Sequence, residues 1–193
     1  MLRLASLTLL SITAFAETVR AQSVLTQEEA LALAVPNATW QRHTAYLADE
    51  DLAAIAEQSN GVKVEQRVFS YYVASEDGRK THVAYFEAHQ VRTLSEVVMV
   101  VVTANGTVGR VEILKFLEPP EYRAQAGWLA QFEGHDLDDG LSLKGDIVGM
   151  TGATLTARAV TGAVRRQLAV HAYLRPLADQ GADEGEEGSG DRE

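Results

Sequence analysis

The 193-residue chain contains no cysteine. Disulfides, thiolate nucleophiles, iron–sulfur clusters and Cys-x-x-Cys-His haem attachment are excluded together, as is a lipidated cysteine anchor. No Gly-Lys-Ser/Thr follows a glycine loop, so a Walker A phosphate cradle is missing, and no Gly-x-Ser-x-Gly elbow offers a serine nucleophile. The histidines His43, His82, His89, His135 and His171 do not pair at metal-ligand spacing, and parity puts His82 and His89 on opposite faces of a strand. Asp136, Asp138 and Asp139 lack the regular spacing and closing Glu of an EF-hand. Neither a catalytic residue nor a metal ligand is therefore predicted. A net charge of −10 argues against nucleic acid as a partner. No internal repeat is visible.

What is present suits one globular domain with short appendages: 46% of residues are hydrophobic, enough for a core of ordinary size. Residues 1–21 read as a signal peptide. Arg3 supplies the positive start, Leu4 to Phe15 an apolar run, and small-residue cleavage sites follow Ala16 and Ala21. The run falls short of the roughly 20 residues a membrane span needs. The expected location is therefore exported, in the periplasm or on the outer face of the cytoplasmic membrane. Residues 22–64 form an N-terminal helical and extended segment. A helix opens at Thr26 with Glu29 as its capping-box partner and stops at Pro36. Trp40 to Leu47 is extended, and a short helix from Asp49 or Asp51 closes at Asn60-Gly61.

Residues 65–176 make up the principal domain, and its first half is rich in strands. Val68 to Ala74 and Thr81 to Ala88 flank the turn Glu76-Asp77-Gly78-Arg79. Glu96 to Thr103 is almost continuously β-branched, the pattern of a central strand buried on both faces. Asn105-Gly106 then signals a hairpin into Val108 to Phe116. Short turns make sequence neighbours sheet neighbours. The fold class predicted is α+β, an antiparallel sheet of hairpins packed with helices. Pro119 and Pro120 end the last strand ahead of a short helix that carries Trp128 and Phe132 on one face, expected in the core. Residues 177–193 have the composition of a disordered acidic tail.

The stretch Thr151-Gly152-Ala153-Thr154-Leu155-Thr156 enters the longest predicted helix, from about Ala153 to Leu174. Its apolar stripe runs through Leu155, Val160, Ala163, Val164, Leu168 and Leu174, with Arg158, Arg165 and Arg166 available to solvent. The first helical amides lack partners and the dipole favours negative charge, so this turn suits an anion. Gly152 and Ala153 leave room for a phosphate to approach the main chain. Thr151, Thr154 and Thr156 each offer a hydroxyl. Thr151 is expected to cap the helix, and Thr156 lies about 200° around it from Thr154.

These residues resemble the Ser/Thr-Gly-Ala-Thr motif of the FMN-binding domain family, which includes the G subunit of Rnf-type electron-transport complexes and the C subunit of sodium-translocating NADH:quinone oxidoreductase. Where that family usually has an acidic residue, three positions before the first Thr, this chain has Val148. The resemblance implies that residues 65–176 bind FMN and that its phosphate is esterified to Thr154. It also implies that Thr151, Gly152, Ala153, Leu155 and Thr156 belong to the cofactor-binding site, although Thr156 and Thr154 cannot both face one phosphate. A loop with Glu and Pro stands near the flavin in the family, which adds Glu118, and Tyr122 is a further candidate beside it. The protein expected is an exported electron-transfer flavoprotein, an electron carrier or redox subunit more than a stand-alone enzyme. Its partners would be a flavin transferase and membrane or periplasmic electron-transfer proteins. The alternative is a non-redox binding or assembly module on the same scaffold, without flavin, in which the threonines only cap the helix.

Overall fold

In the computed structural model, which describes residues 24–178, the chain folds as a five-stranded antiparallel meander with helices on both faces. The expected signal segment 1–21 and the acidic run from 179 onward lie outside the described residues. The strands are β1 (Thr39–Tyr46), β2 (Val68–Glu76), β3 (Arg79–Gln90), β4 (Ser95–Thr103) and β5 (Val108–Phe116), in the order β1-β2-β3-β4-β5. Local chemistry sets this order. Asp77 and Gly78 have φ of 52° and 77°, the pair of left-handed residues that a tight hairpin between right-twisted strands requires. The turn at Asn105-Gly106 is longer than a two-residue one. Only Gly106 is left-handed, at φ 80°, and the Thr103 N–H donates to the Thr107 carbonyl at 2.9 Å.

β4 is buried on both faces, as its valines suggest. Val98, Val100 and Val102 join the larger core, while Met99 and Val101 pack on the opposite face with Ala30 and Leu31 of helix α1 (Gln27–Ala34). Thr26 caps α1 through a capping box: its hydroxyl accepts from the Glu29 N–H at 3.2 Å, and its own N–H donates to Glu29 Oε2 at 2.8 Å. Helix α2 (Asp49–Gln58) ends at left-handed Asn60 and Gly61. β1 adds to the open edge of β2 over its whole length, from Thr39 opposite Ser75 to Tyr46 opposite Val68.

The predicted helix around Trp128 is two pieces: α3 (Ala126–Leu129) and a 3-10 turn, Ala130–Phe132. Phe132 is fully buried, and the two rings meet edge to face at 5.3 Å. Helix α4 (Thr154–Leu174) then crosses the sheet face opposite α1. It runs antiparallel to β3, because Tyr85 meets His171 while Glu87 meets Arg166 and Gln167, nearer the start of the helix. Val160, Ala163, Val164 and Leu168 are buried as predicted.

Three side chains of α4 depart from the expected stripe. Leu155 is 46% exposed and lines a surface cleft in place of the core. Arg165 turns from solvent to donate to the carbonyls of Asp138 and Leu141, at 2.6 and 3.0 Å. Arg166 forms an ion pair with Glu87. Both arginines lie where the helix passes over carbonyls and a carboxylate that need donors.

Candidate functional site

The chain reaches the start of α4 along a tightly held path. At Gly145 an added Cβ would lie 2.3 Å from the Gly140 carbonyl, so the loop there closes only around glycine. Beyond it, the Trp128 indole N–H donates to the Val148 carbonyl at 2.7 Å, and the Val148 N–H donates to Gln131 Oε1 at 2.9 Å. Trp128 therefore positions the approach to the helix as well as packing against the core. The Val148 side chain itself is 70% exposed.

Gly152, at φ 79°, makes the last turn before the helix in a conformation that a Cβ would strain. The capping position falls two residues beyond Thr151, on Ala153, which has no side-chain oxygen. The expectation that Thr151 caps α4 is thus corrected: no side chain caps this 21-residue helix. The amides of Thr154, Leu155 and Thr156 occupy the first turn, where no intrahelical carbonyl is available. That turn contains no acidic side chain. The positive end of the dipole is left for an anion from outside.

A cleft of about 240 Å³ opens there. Of the eight residues singled out from the sequence, seven line it: Gly152, Ala153, Thr154, Leu155, Thr156, Glu118 and Tyr122. Thr151 does not. The threonines divide as the helical angle predicts, with Thr154 exposed and Thr156 only 1% exposed. Tyr122 closes the 3-10 turn Pro120–Tyr122 and is 38% exposed at the rim. Two lining residues have no signal in the sequence, Val91 and Arg92 in the loop between β3 and β4. Their proximity comes from the β3–β4 pairing, which brings that loop beside the end of β5.

Glu118 has a different job from the one its sequence position suggested. It is 7% exposed, and its Oε1 accepts from the amides of Arg92, Thr93 and Leu94 at 3.2, 2.7 and 2.8 Å. Hydrogen bonds from the Thr93 and Leu94 amides, then that of Arg92, hold its carboxyl below the usual range. Glu118 fixes the loop that forms one wall of the cleft.

Farther along α4, a second polar region is closed in the sense that its groups pair with one another, although Glu87 and Arg166 also line a cavity. Glu87 of β3 takes Arg166 and Gln167 from α4, with Gln167 Nε2 at 2.6 Å. His89 lies between two carboxylates, Nδ1 at 3.3 Å from Glu87 Oε1 and Nε2 at 2.9 Å from fully buried Glu96. Burial opposes charge on Glu87, but His89, Arg166 and Gln167 outweigh it and bring its carboxyl down to about 2. Burial likewise opposes charge on His89, and the flanking carboxylates overcome it and raise the imidazole to about 9. Next in line, the Tyr85 hydroxyl lies 3.1 Å from His171 Nδ1, and burial lowers that histidine to about 4.

The open cleft brings together groups that suit a phosphorylated ligand: free amides at a helix start, one exposed threonine hydroxyl, one cation and, apart from amide-bound Glu118, no acid. Residues 95–169 match the family model of the FMN-binding domain, so the chain carries an FMN-binding domain and FMN is its cofactor. The match runs from the start of β4 to α4 and includes Glu118, Tyr122 and the whole threonine motif. No curated protein matches the chain. The amides, threonine hydroxyl and cation of the cleft fit the phosphate of FMN, and its volume of about 240 Å³ lies below the roughly 300–1,000 Å³ of pockets that engulf drug-sized ligands.

Proposed function

We propose that the protein is an exported electron-transfer flavoprotein that carries FMN as a phosphoester on Thr154. The observation that supports this most is the exposed Thr154 hydroxyl on the first turn of a long helix with no cap. Attachment joins Thr154 Oγ1 to phosphorus. The hydroxyl proton passes to a base, and the leaving group of a flavin phosphoanhydride departs with the bonding pair. A flavin transferase supplies that activation. The product carries one negative charge, and the helix start stabilises it by about 0.3–1 kcal/mol at each favourable contact. FMN supplies the redox chemistry, taking up electrons and passing them on. The protein's residues would hold and orient it: Gly152, with no side chain, lets the phosphate approach the main chain, and Leu155 and Tyr122 offer apolar surface to a flat ring.

On this reading the ring stays partly outside the small cleft, which suits exchange of electrons with membrane or periplasmic proteins better than a buried reaction on a small substrate. A capping role for the threonines has no support in the hydrogen bonding of α4, which leaves the module without flavin the weaker reading. The test is to produce the full chain together with a flavin transferase and purify it under denaturing conditions. A yellow polypeptide that keeps flavin fluorescence is expected, and a colourless one would contradict the proposal.

A further inference from the structure

We infer that Arg92 makes the cleft selective for phosphorylated flavin over riboflavin, and that Glu118 is the residue that positions it. The inference rests on the FMN-binding reading of the cleft. Arg92 is the single cation among the residues that line it. Its side chain is exposed and makes no hydrogen bond or ion pair among the described residues. Four other arginines are committed elsewhere, Arg110 to Glu112, Arg123 to the Ile113 carbonyl, Arg165 to loop carbonyls and Arg166 to Glu87, while exposed Arg158, one turn along α4 from Thr154, does not line the cleft. In a chain of net charge −10, an unengaged guanidinium beside an uncapped helix start is where an incoming phosphate finds opposite charge. A guanidinium presents its donors in a planar fork that matches phosphate oxygens.

The loop that carries Arg92 has one backbone bond of its own, from the Val91 N–H to the Leu94 carbonyl at 3.1 Å, and Glu118 supplies the rest of its support. Three successive amides, of Arg92, Thr93 and Leu94, converge on one oxygen of Glu118. That grip partly screens the negative charge of Glu118 with three amide dipoles, and it fixes the loop in the lining of the same cleft as Gly152 and Thr154. Arg92 lies three positions before the matched residues 95–169.

The experiment uses full-length unmodified protein made without a transferase. FMN and riboflavin are titrated separately and followed by quenching of flavin fluorescence. Wild type is expected to bind FMN at least about tenfold more tightly than riboflavin, as one charge-assisted contact allows. Arg92→Gln should bring that ratio within about threefold by weakening FMN alone, and Arg92→Lys should keep part of it. Glu118→Ala should lower the ratio as well, while Glu118→Gln, which retains an acceptor oxygen, should preserve most of it. The inference is overturned if Arg92→Gln keeps the full preference, if it weakens both flavins alike, or if wild type shows no preference. Failure of attachment at Thr154 in the presence of transferase would overturn the covalent reading instead, and leave the ratio as an independent result.

Discussion

The two ends of the polar face of α4 are built on opposite rules. At its start, three amides, an exposed threonine and an arginine have no partner among the described residues. Three turns later, Arg166 and Gln167 meet Glu87, and Glu87 meets His89, which meets Glu96. A buried charge without a partner is costly, so the middle of the helix can hold these groups only as a network. At the solvent-facing start, water satisfies the same kinds of group until a ligand displaces it. The contrast separates what holds α4 on the sheet from what leaves its start available.

Breaking the closed region should have the largest effect. Glu87→Ala strips partners from Arg166, His89 and Gln167 at once, and removing one partner of a buried pair typically costs about 3–5 kcal/mol. Thermal or urea unfolding should show a loss of this size, and a change under 1 kcal/mol would mean that the network contributes little. The same region should govern the response to pH. The folded pKa of His89 is raised to about 9, so its contribution is whole below its ordinary value of 6.5 and fades as pH rises through about 9. Glu87 behaves in the opposite sense, whole above 4.5 and fading as pH falls toward 2. His171 acts earlier on the acid side. Buried neutral, with its pKa lowered to about 4, it makes stability fall as pH drops from 6.5. Urea midpoints measured from pH 4 to 10 should decline on both sides, and His89→Gln should flatten the alkaline decline alone. An unchanged alkaline slope in that variant would assign the decline to other groups.

At the open end, removing a hydroxyl should scarcely alter stability. Thr151→Ala is expected to shift unfolding by no more than about 0.5 kcal/mol, as an exposed residue that caps nothing. Thr26→Ala, in the capping box of α1, should cost about 1 kcal/mol. Equal losses in the two variants would show that Thr151 caps α4 in solution.

Local signals in the sequence were read well. Thr26 with Glu29, Asp77 with Gly78, Asn60 with Gly61 and the valines of β4 each carry their own structural cause within a few residues. The seven motif and loop residues of the cleft were legible because a helix start and a proline-stopped strand can be seen locally. What was missed depends on contacts between distant parts of the chain. Arg166 looked solvated because Glu87 is 79 positions away. Arg92 had no signal at all, since only strand pairing brings its loop to the motif. Thr151 was misjudged for a local reason: the cap falls two residues on, at Ala153 after the left-handed Gly152, and a threonine in a sequence does not reveal which residue the turn will select.

Identifying the hydroxyl that bears the flavin tests the central claim most directly. Peptide mass spectrometry of protein made with a flavin transferase should place one FMN on Thr154, none on Thr154→Ala, and one on Thr154 in the Thr156→Ala variant, in keeping with exposed Thr154 and 1%-exposed Thr156. FMN found on Thr156 with Thr154 bare would contradict the account.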